Sequence, residues 1–191
     1  FITVDKVTVD FNGDPLPGDP NFFDFELTDV PTGTLFSAFA LRDADTPYLS
    51  PGLDPDVYSV TEDYAPTGWT LDSATCDNGD DPSAIRILAG ETVNCTFVNR
   101  QEPGTLTLVK TVINDNGGIA VDTDWTLSFA GPSNGSGVEG DASITNAVVN
   151  GGTYTLSESN GPDFYATDGV WVCTGGTYTS PNQITLASAQ S

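Results

Sequence analysis

The stretch YTLSES (154–159) alternates as a half-buried strand does, and the alternation puts Glu158 on the same face as Tyr154 and Leu156. VYSVTED (57–63) places Glu62 with Tyr58 and Val60 in the same way. Both glutamates are expected to point inward. So are two lysines: Leu106, Leu108, Lys110 and Val112 share a face, as do Ile2, Val4 and Lys6, although Val7 and Val9 lie opposite the latter. On VNCTFVN (93–99) the face that carries Cys95 also carries Val93, Phe97 and Asn99. A lysine and a glutamate taken out of water shift toward their neutral forms, by up to roughly 3 to 5 pKa units each when burial is uncompensated. A neutral amine is a nucleophile, and a protonated carboxyl can polarise a carbonyl and pass protons. The plainer alternative is a buried ion pair whose disruption costs about 3 to 5 kcal/mol.

The elements that would position these residues occur twice. ITVDKVTVDFNGD (2–14) aligns with LTLVKTVINDNGG (106–118), and VYSVTEDYAPTGW (57–69) with TYTLSESNGPDFY (153–165). Each copy then reaches a cysteine, Cys76 or Cys173, followed by an apolar strand, IRILAGET (85–92) or ITLASAQS (184–191). The two lysines of the chain occupy the same position of the two copies. The junction RQEPG (100–104) contains Pro103 and Gly104, which do not extend a strand comfortably, so the domains are expected at 1–101 and 102–191. Unit one continues through VNCTFVN, whereas unit two reaches Ser191 where its equivalent strand should begin. That strand is expected from a continuation of the polypeptide or from a neighbouring subunit by donor-strand complementation. Cys76 and Cys95 are expected to pair across the first unit, closing a loop worth about 3 kcal/mol. Cys173 is left for a partner outside the chain.

Composition narrows the class. Among 191 residues, 13 Pro, 20 Gly and many short Val/Thr/Tyr/Phe runs without a 3.6-residue apolar stripe predict an all-β protein rich in turns. A net charge of -22 disfavours nucleic acid and anionic lipid as partners and favours solubility. No apolar run approaches the roughly 18 residues of a membrane span, so membrane insertion is not expected. The start at Phe1 reads as processed or partial sequence. Three cysteines, no histidine and no methionine argue against a transition-metal site and suit an oxidising exterior. Asp10, Asn12 and Asp14 have the spacing of a calcium loop, but the twelve-residue pattern with its closing glutamate is absent, and a turn is the favoured reading. DNGDD (77–81) and NDNGG (114–118) read likewise as turns. Trp125, Leu127 and Phe129 share parity and suit core packing, while Trp69 and Trp171 could serve either core or surface. Sequons stand at Asn94, within a strand, and at Asn134.

The pattern Y-x-V/L-x-E-x-x-x-P followed by an aromatic, the lysine-bearing first strand and the Asn-terminated last strand resemble prealbumin-like, Cna-B/SpaA-type domains of bacterial surface proteins and pilins. The resemblance covers nearly the whole chain, twice. It implies two tandem Ig-like antiparallel β-sandwiches, the second lacking its last strand. In that family a first-strand lysine and a last-strand asparagine or aspartate are often joined by an isopeptide bond with help from a buried glutamate. Carried over, the resemblance implies Lys6 as nucleophile, Asn99 as the carboxamide attacked and Glu62 as proton shuttle. In unit two it implies Lys110 and Glu158, with the acceptor beyond Ser191 or in another chain. No cofactor is needed for that chemistry. The expected function is a non-enzymatic structural module of an extracellular filament, pilus or adhesin stalk at the cell surface, whose partners are copies of itself or further repeats. The alternative is a binding module for a glycan or a host or surface ligand. Catalysis on an external substrate is not expected, because the two inward glutamates sit in separate repeats, too far apart to cooperate at about 5 to 10 Å.

Overall fold

The computed structural model describes residues 1–159, 161–179 and 181–188. Its contacts divide the chain into Phe1–Gln101 and Glu102–Ser191, each built around its own core.

Unit one consists of β1 (Ile2–Val9), β2 (Phe23–Asp29), β3 (Thr34–Leu41), β4 (Tyr48–Leu49), β5 (Val57–Tyr64), β6 (Trp69–Cys76), β7 (Ile85–Arg86) and β8 (Val93–Gln101). They form two four-stranded sheets, ordered β4-β1-β8-β6 and β3-β2-β5-β7. Every pairing is antiparallel except β1 with β8, which run parallel with Val4 opposite Cys95, Lys6 opposite Phe97 and Thr8 opposite Asn99. Alternation in sequence becomes alternation in space. Phe23, Phe25 and Leu27 of β2 meet Ile2 and Val4 of β1 and Cys95 and Phe97 of β8 in one buried cluster. Phe25 packs edge-on against Phe97, and Phe23 edge-on against Trp69, so Trp69 is a core residue. On β1 the face opposite Lys6 is only partly covered at Val7, whereas Val9 is buried.

Unit two consists of β9 (Gly104–Leu106), a single 3-10 turn at Asp122–Asp124, β10 (Leu127–Ala130), β11 (Asn134–Gly137), β12 (Ala147–Val149), β13 (Gly152–Glu158), β14 (Thr177–Tyr178) and β15 (Gln183–Leu186). One sheet has the order β11-β10-β13-β15-β14, the counterpart of β3-β2-β5-β7 with β14 added. The other is reduced to β12-β9, the counterpart of β4-β1. Trp125, Leu127 and Phe129 are buried, as their shared parity requires. Trp171 packs partly buried against this core.

The two units differ where β8 lies in the first. There β8 is hydrogen-bonded to β1 on one side and to β6 on the other. Among the described residues of unit two no strand takes that position, and neither flank is a strand. Residues 107–113, expected to continue a strand through Lys110, are irregular although Leu106 and Leu108 remain buried. Their outward side chains are bare, with Val109 63% and Ile113 74% exposed. Residues 165–173, the counterpart of β6, are irregular as well. A strand exists through the ladder it shares, so two segments deprived of a common neighbour keep their facing but lose their pairing. Of ITLASAQS, residues 184–186 belong to β15 and 189–191 lie outside the described residues. No helix among the described residues is long and apolar enough to cross a membrane.

Candidate functional site

In unit one the inward residues converge. Lys6 on β1 is 2% exposed and Asn99 on β8 is 0% exposed. The lysine Nζ donates to Asn99 Oδ1 at 2.9 Å, to the Val7 carbonyl at 2.9 Å and to the Phe97 carbonyl at 3.4 Å. Parallel pairing is what brings them together: Lys6 and Asn99 stand two residues apart in register on neighbouring strands and project from the same face. Glu62 reaches across from β5 in the facing sheet, and Asn99 Nδ2 donates to its Oε1 at 2.6 Å. The result is a chain from amine to carboxamide to carboxyl. The other carboxyl oxygen, Glu62 Oε2, is buried without a hydrogen-bond partner, a costly place for negative charge. Phe23 lies under the amine, its ring centre 4.0 Å from Nζ.

Burial sets the electrostatics. Loss of water around Nζ lowers the Lys6 pKa to about 8, against smaller opposing pulls from Glu62, Asp43, Asp19 and Asp5. The same loss raises the Glu62 carboxyl above its ordinary range, opposed by the hydrogen bond from Asn99 and by Lys6. An amine easily relieved of its proton thus touches a carboxamide, and a carboxyl inclined to hold a proton touches the amide nitrogen.

The described residues of unit two include the outer members of this chain but not the middle one. Lys110 Nζ meets Glu158 Oε2 directly at 2.8 Å, and both side chains are partly buried. Trp125 is 4.6 Å from the Lys110 amine, so the aromatic just ahead of or at the start of the second strand faces the ammonium in both units. The repeat also preserves a tyrosine clamp: Tyr58 Oη donates to the Asp54 carbonyl and Tyr154 Oη to the Asn150 carbonyl.

Cys76 of β6 and Cys95 of β8 are opposite in register and joined by a disulfide. Cys173 is a free, partly buried thiol against the unit-two core, its pKa raised by burial. Asp10 accepts the backbone N–H groups of Asn12 and Asp14 at 2.8 and 2.9 Å, and Gly13 turns the loop with a φ of 92°. These contacts build an Asx turn. Among the described residues no group of three or more histidines, cysteines, aspartates or glutamates could hold a metal ion.

Family comparison agrees with the doubled architecture. The prealbumin-like fold domain of SpaA type matches residues 2–101 and again residues 101–191. The chain belongs to this family.

Several solved structures resemble the chain at low identity. The Bacillus anthracis TIE protein is 15% identical with a TM-score of 0.57, and the match covers 98% of this chain and 32% of that one. A C-terminal fragment of the pilus adhesin SpaC from Lactobacillus rhamnosus GG is 19% identical with a TM-score of 0.46, over 87% of this chain and 78% of that one. The pilus backbone protein RrgB of Streptococcus pneumoniae is 14% identical with a TM-score of 0.36, over 96% of this chain and 57% of that one. The chain thus spans about a third of the length of the TIE protein chain it matches. No curated protein matches the sequence.

Beside the prealbumin-like strand pattern, two contributors escape sequence reasoning. Phe23 belongs to an ordinary apolar alternation, and nothing in that marks it as the ring under Lys6. Asp43 accepts from Thr8 N at 2.6 Å and from Gly18 N at 2.9 Å, holding the end of β1 from a loop with no recognisable motif.

Proposed function

We propose that the chain is a non-enzymatic structural module of an extracellular filament, pilus or adhesin stalk, in which unit one is locked by a Lys6–Asn99 amide. The observation that carries this reading is the contact of a fully buried, easily deprotonated Lys6 amine with the Asn99 carboxamide, itself held by Glu62. The neutral amine attacks Cγ of Asn99, and Glu62, in contact with Nδ2, relays the amine protons to the departing nitrogen. The Nζ–Cγ bond forms, the Cγ–Nδ2 bond breaks and one ammonia leaves. Fixed contact replaces a bimolecular encounter, so a single slow turnover suffices. The Cys76–Cys95 disulfide suits an oxidising exterior and supports placement outside the cell. In unit two, Lys110 and Glu158 await an asparagine on a strand supplied from outside the described residues, by a further part of the polypeptide or by end-to-end assembly.

The position of the amide explains its use. Lys6 and Asn99 lie near the two ends of unit one, so tension applied through residues 1 and 101 crosses the amide and bypasses everything between. Single-molecule extension of the wild-type protein is expected to show no unfolding step for unit one, whereas Lys6→Ala releases about 250 Å of hidden chain, at roughly 3.3 Å per residue with 77–94 still closed off by the Cys76–Cys95 disulfide. A step of that length in the wild type would contradict the proposal.

A second reading, a binding module for a glycan or protein ligand, draws on one end of unit two. An open cavity of about 760 Å³ lies between residues 113–120 and 162–166. Beside it Ile119 and Phe164 are almost wholly exposed. Loss of surface or glycan binding by Phe164→Ser with unchanged folding would favour this reading.

A further inference from the structure

The open position in unit two has the form of a slot. Its floor, a cavity of about 300 Å³, is lined by Leu106, Leu108, Leu156, Trp171, Cys173 and Leu186. A smaller cavity of about 180 Å³ includes Lys110, Val112, Trp125 and Ala166 in its walls. Unit one shows what fills such a slot, because β8 occupies it with a known register. Cys95 stands opposite both Val4 and Cys76, Phe97 opposite both Lys6 and Ala74, and Asn99 opposite Thr8. The repeat carries Val4 to Leu108, Lys6 to Lys110, Thr8 to Val112, Cys76 to Cys173 and Ala74 to Trp171. Most of these exchanges preserve size. The last does not: an indole stands where unit one has a methyl group.

Resting on the reading that a strand from elsewhere completes unit two, we propose that this strand has the pattern cysteine, any residue, a small apolar residue, any residue, asparagine. It enters parallel to 106–112 and antiparallel to 169–173, and its cysteine forms a disulfide with Cys173. Trp171 takes the volume that Phe97 fills in unit one, so the residue between cysteine and asparagine must be small for the layer to close without strain. The asparagine, four places after the cysteine as Asn99 is after Cys95, arrives beside Lys110. The donor is a further segment of the same polypeptide. A second copy of these residues cannot supply it, since Cys95 is the only cysteine of the 191 residues followed four places later by asparagine, and both are buried at the centre of unit one. The disulfide forms by exchange: the Cys173 thiolate attacks the donor cysteine held as a mixed disulfide with a small thiol, the new S–S bond forms and the small thiol leaves as thiolate.

The test uses the 191-residue protein and a synthetic peptide of residues 93–101 carrying Phe97→Ala, its cysteine capped by glutathione. Docking makes the exchange effectively intramolecular, so adduct formation at Cys173, with release of one glutathione, is expected about tenfold faster than with a peptide whose cysteine is moved one place (Cys95→Thr, Thr96→Cys). It is also expected to be faster than with the peptide that keeps Phe97. Hydrogen exchange is followed in the same samples. Equal rates for aligned and displaced cysteines, or a preference for Phe97, together with new protection at 107–113, would overturn the proposed pattern and leave strand completion standing. No adduct and no protection would overturn both.

Discussion

Single residues decide what a buried charge becomes. Where Asn99 stands between Lys6 and Glu62, the amine and the carboxyl each bind the carboxamide; in unit two, without it, Lys110 and Glu158 bind each other. Since attack needs the neutral amine, ammonia release as unit one folds for the first time, from chain in which no amide has yet formed, should accelerate as pH rises through about 8, the Lys6 value set by burial. Glu62→Gln should slow it at every pH, because glutamine neither donates nor relays a proton as the acid does; a quench-and-weigh time course measures both. When the amide cannot form, as in Asn99→Ala, Lys6 remains an uncrosslinked amine. Between about 8 and 10.5 the unfolded lysine holds more proton than the folded one, so its contribution to stability should rise with pH across that window and show its full penalty below it. Urea titrations of Asn99→Ala with and without Lys6→Met isolate that contribution. Parity made Lys6, Glu62 and Asn99 legible as inward residues, because period-two alternation reports facing directly. It could not report the Phe23 ring, which is set by how the two sheets pack.

Strands need neighbours, and the repeat exposes this by removing one. LTLVKTV (106–112) has as strand-like a sequence as ITVDKVT (2–8), yet only the latter is a strand, because only it lies beside β8. Amide hydrogen exchange should therefore be fast at 107, 109 and 111–113, whereas the Leu108 N–H is held by the Ile144 carbonyl and that of Lys110 by Glu139, and slow throughout Ile2–Val9; equal protection of the two segments would contradict the account. Propensity and alternation placed the strands that carry Lys6, Glu62, Asn99 and Glu158. They failed for 107–113 because pairing is a property of two strands and not of one. The Cys76–Cys95 bridge also belongs to this scale. In a Lys6→Ala background, replacing both cysteines by serine should destabilise unit one by about 3 kcal/mol, as read by chemical denaturation. With the amide present the effect on unfolding should be smaller, since the Lys6–Asn99 link already encloses the same loop.

The described residues form two units, each with its own core, of which the first contains a strand in the β8 position and the second does not. Calorimetry should resolve two transitions, the lower belonging to unit two, and only the upper should fall in Lys6→Ala. With a net charge of -22, both should rise as salt is added from low ionic strength, since screening relieves repulsion among the carboxylates. The doubling could be read from the chain alone, because repeated strings need no tertiary information. The most direct test of the central claim is the intact mass of the oxidised protein, weighed beside Lys6→Ala and Asn99→Ala. The wild type should fall one ammonia short of the mass of its disulfide-bonded sequence, and each variant should show no deficit. A wild type at full mass, or a deficit that survives Lys6→Ala, would contradict it.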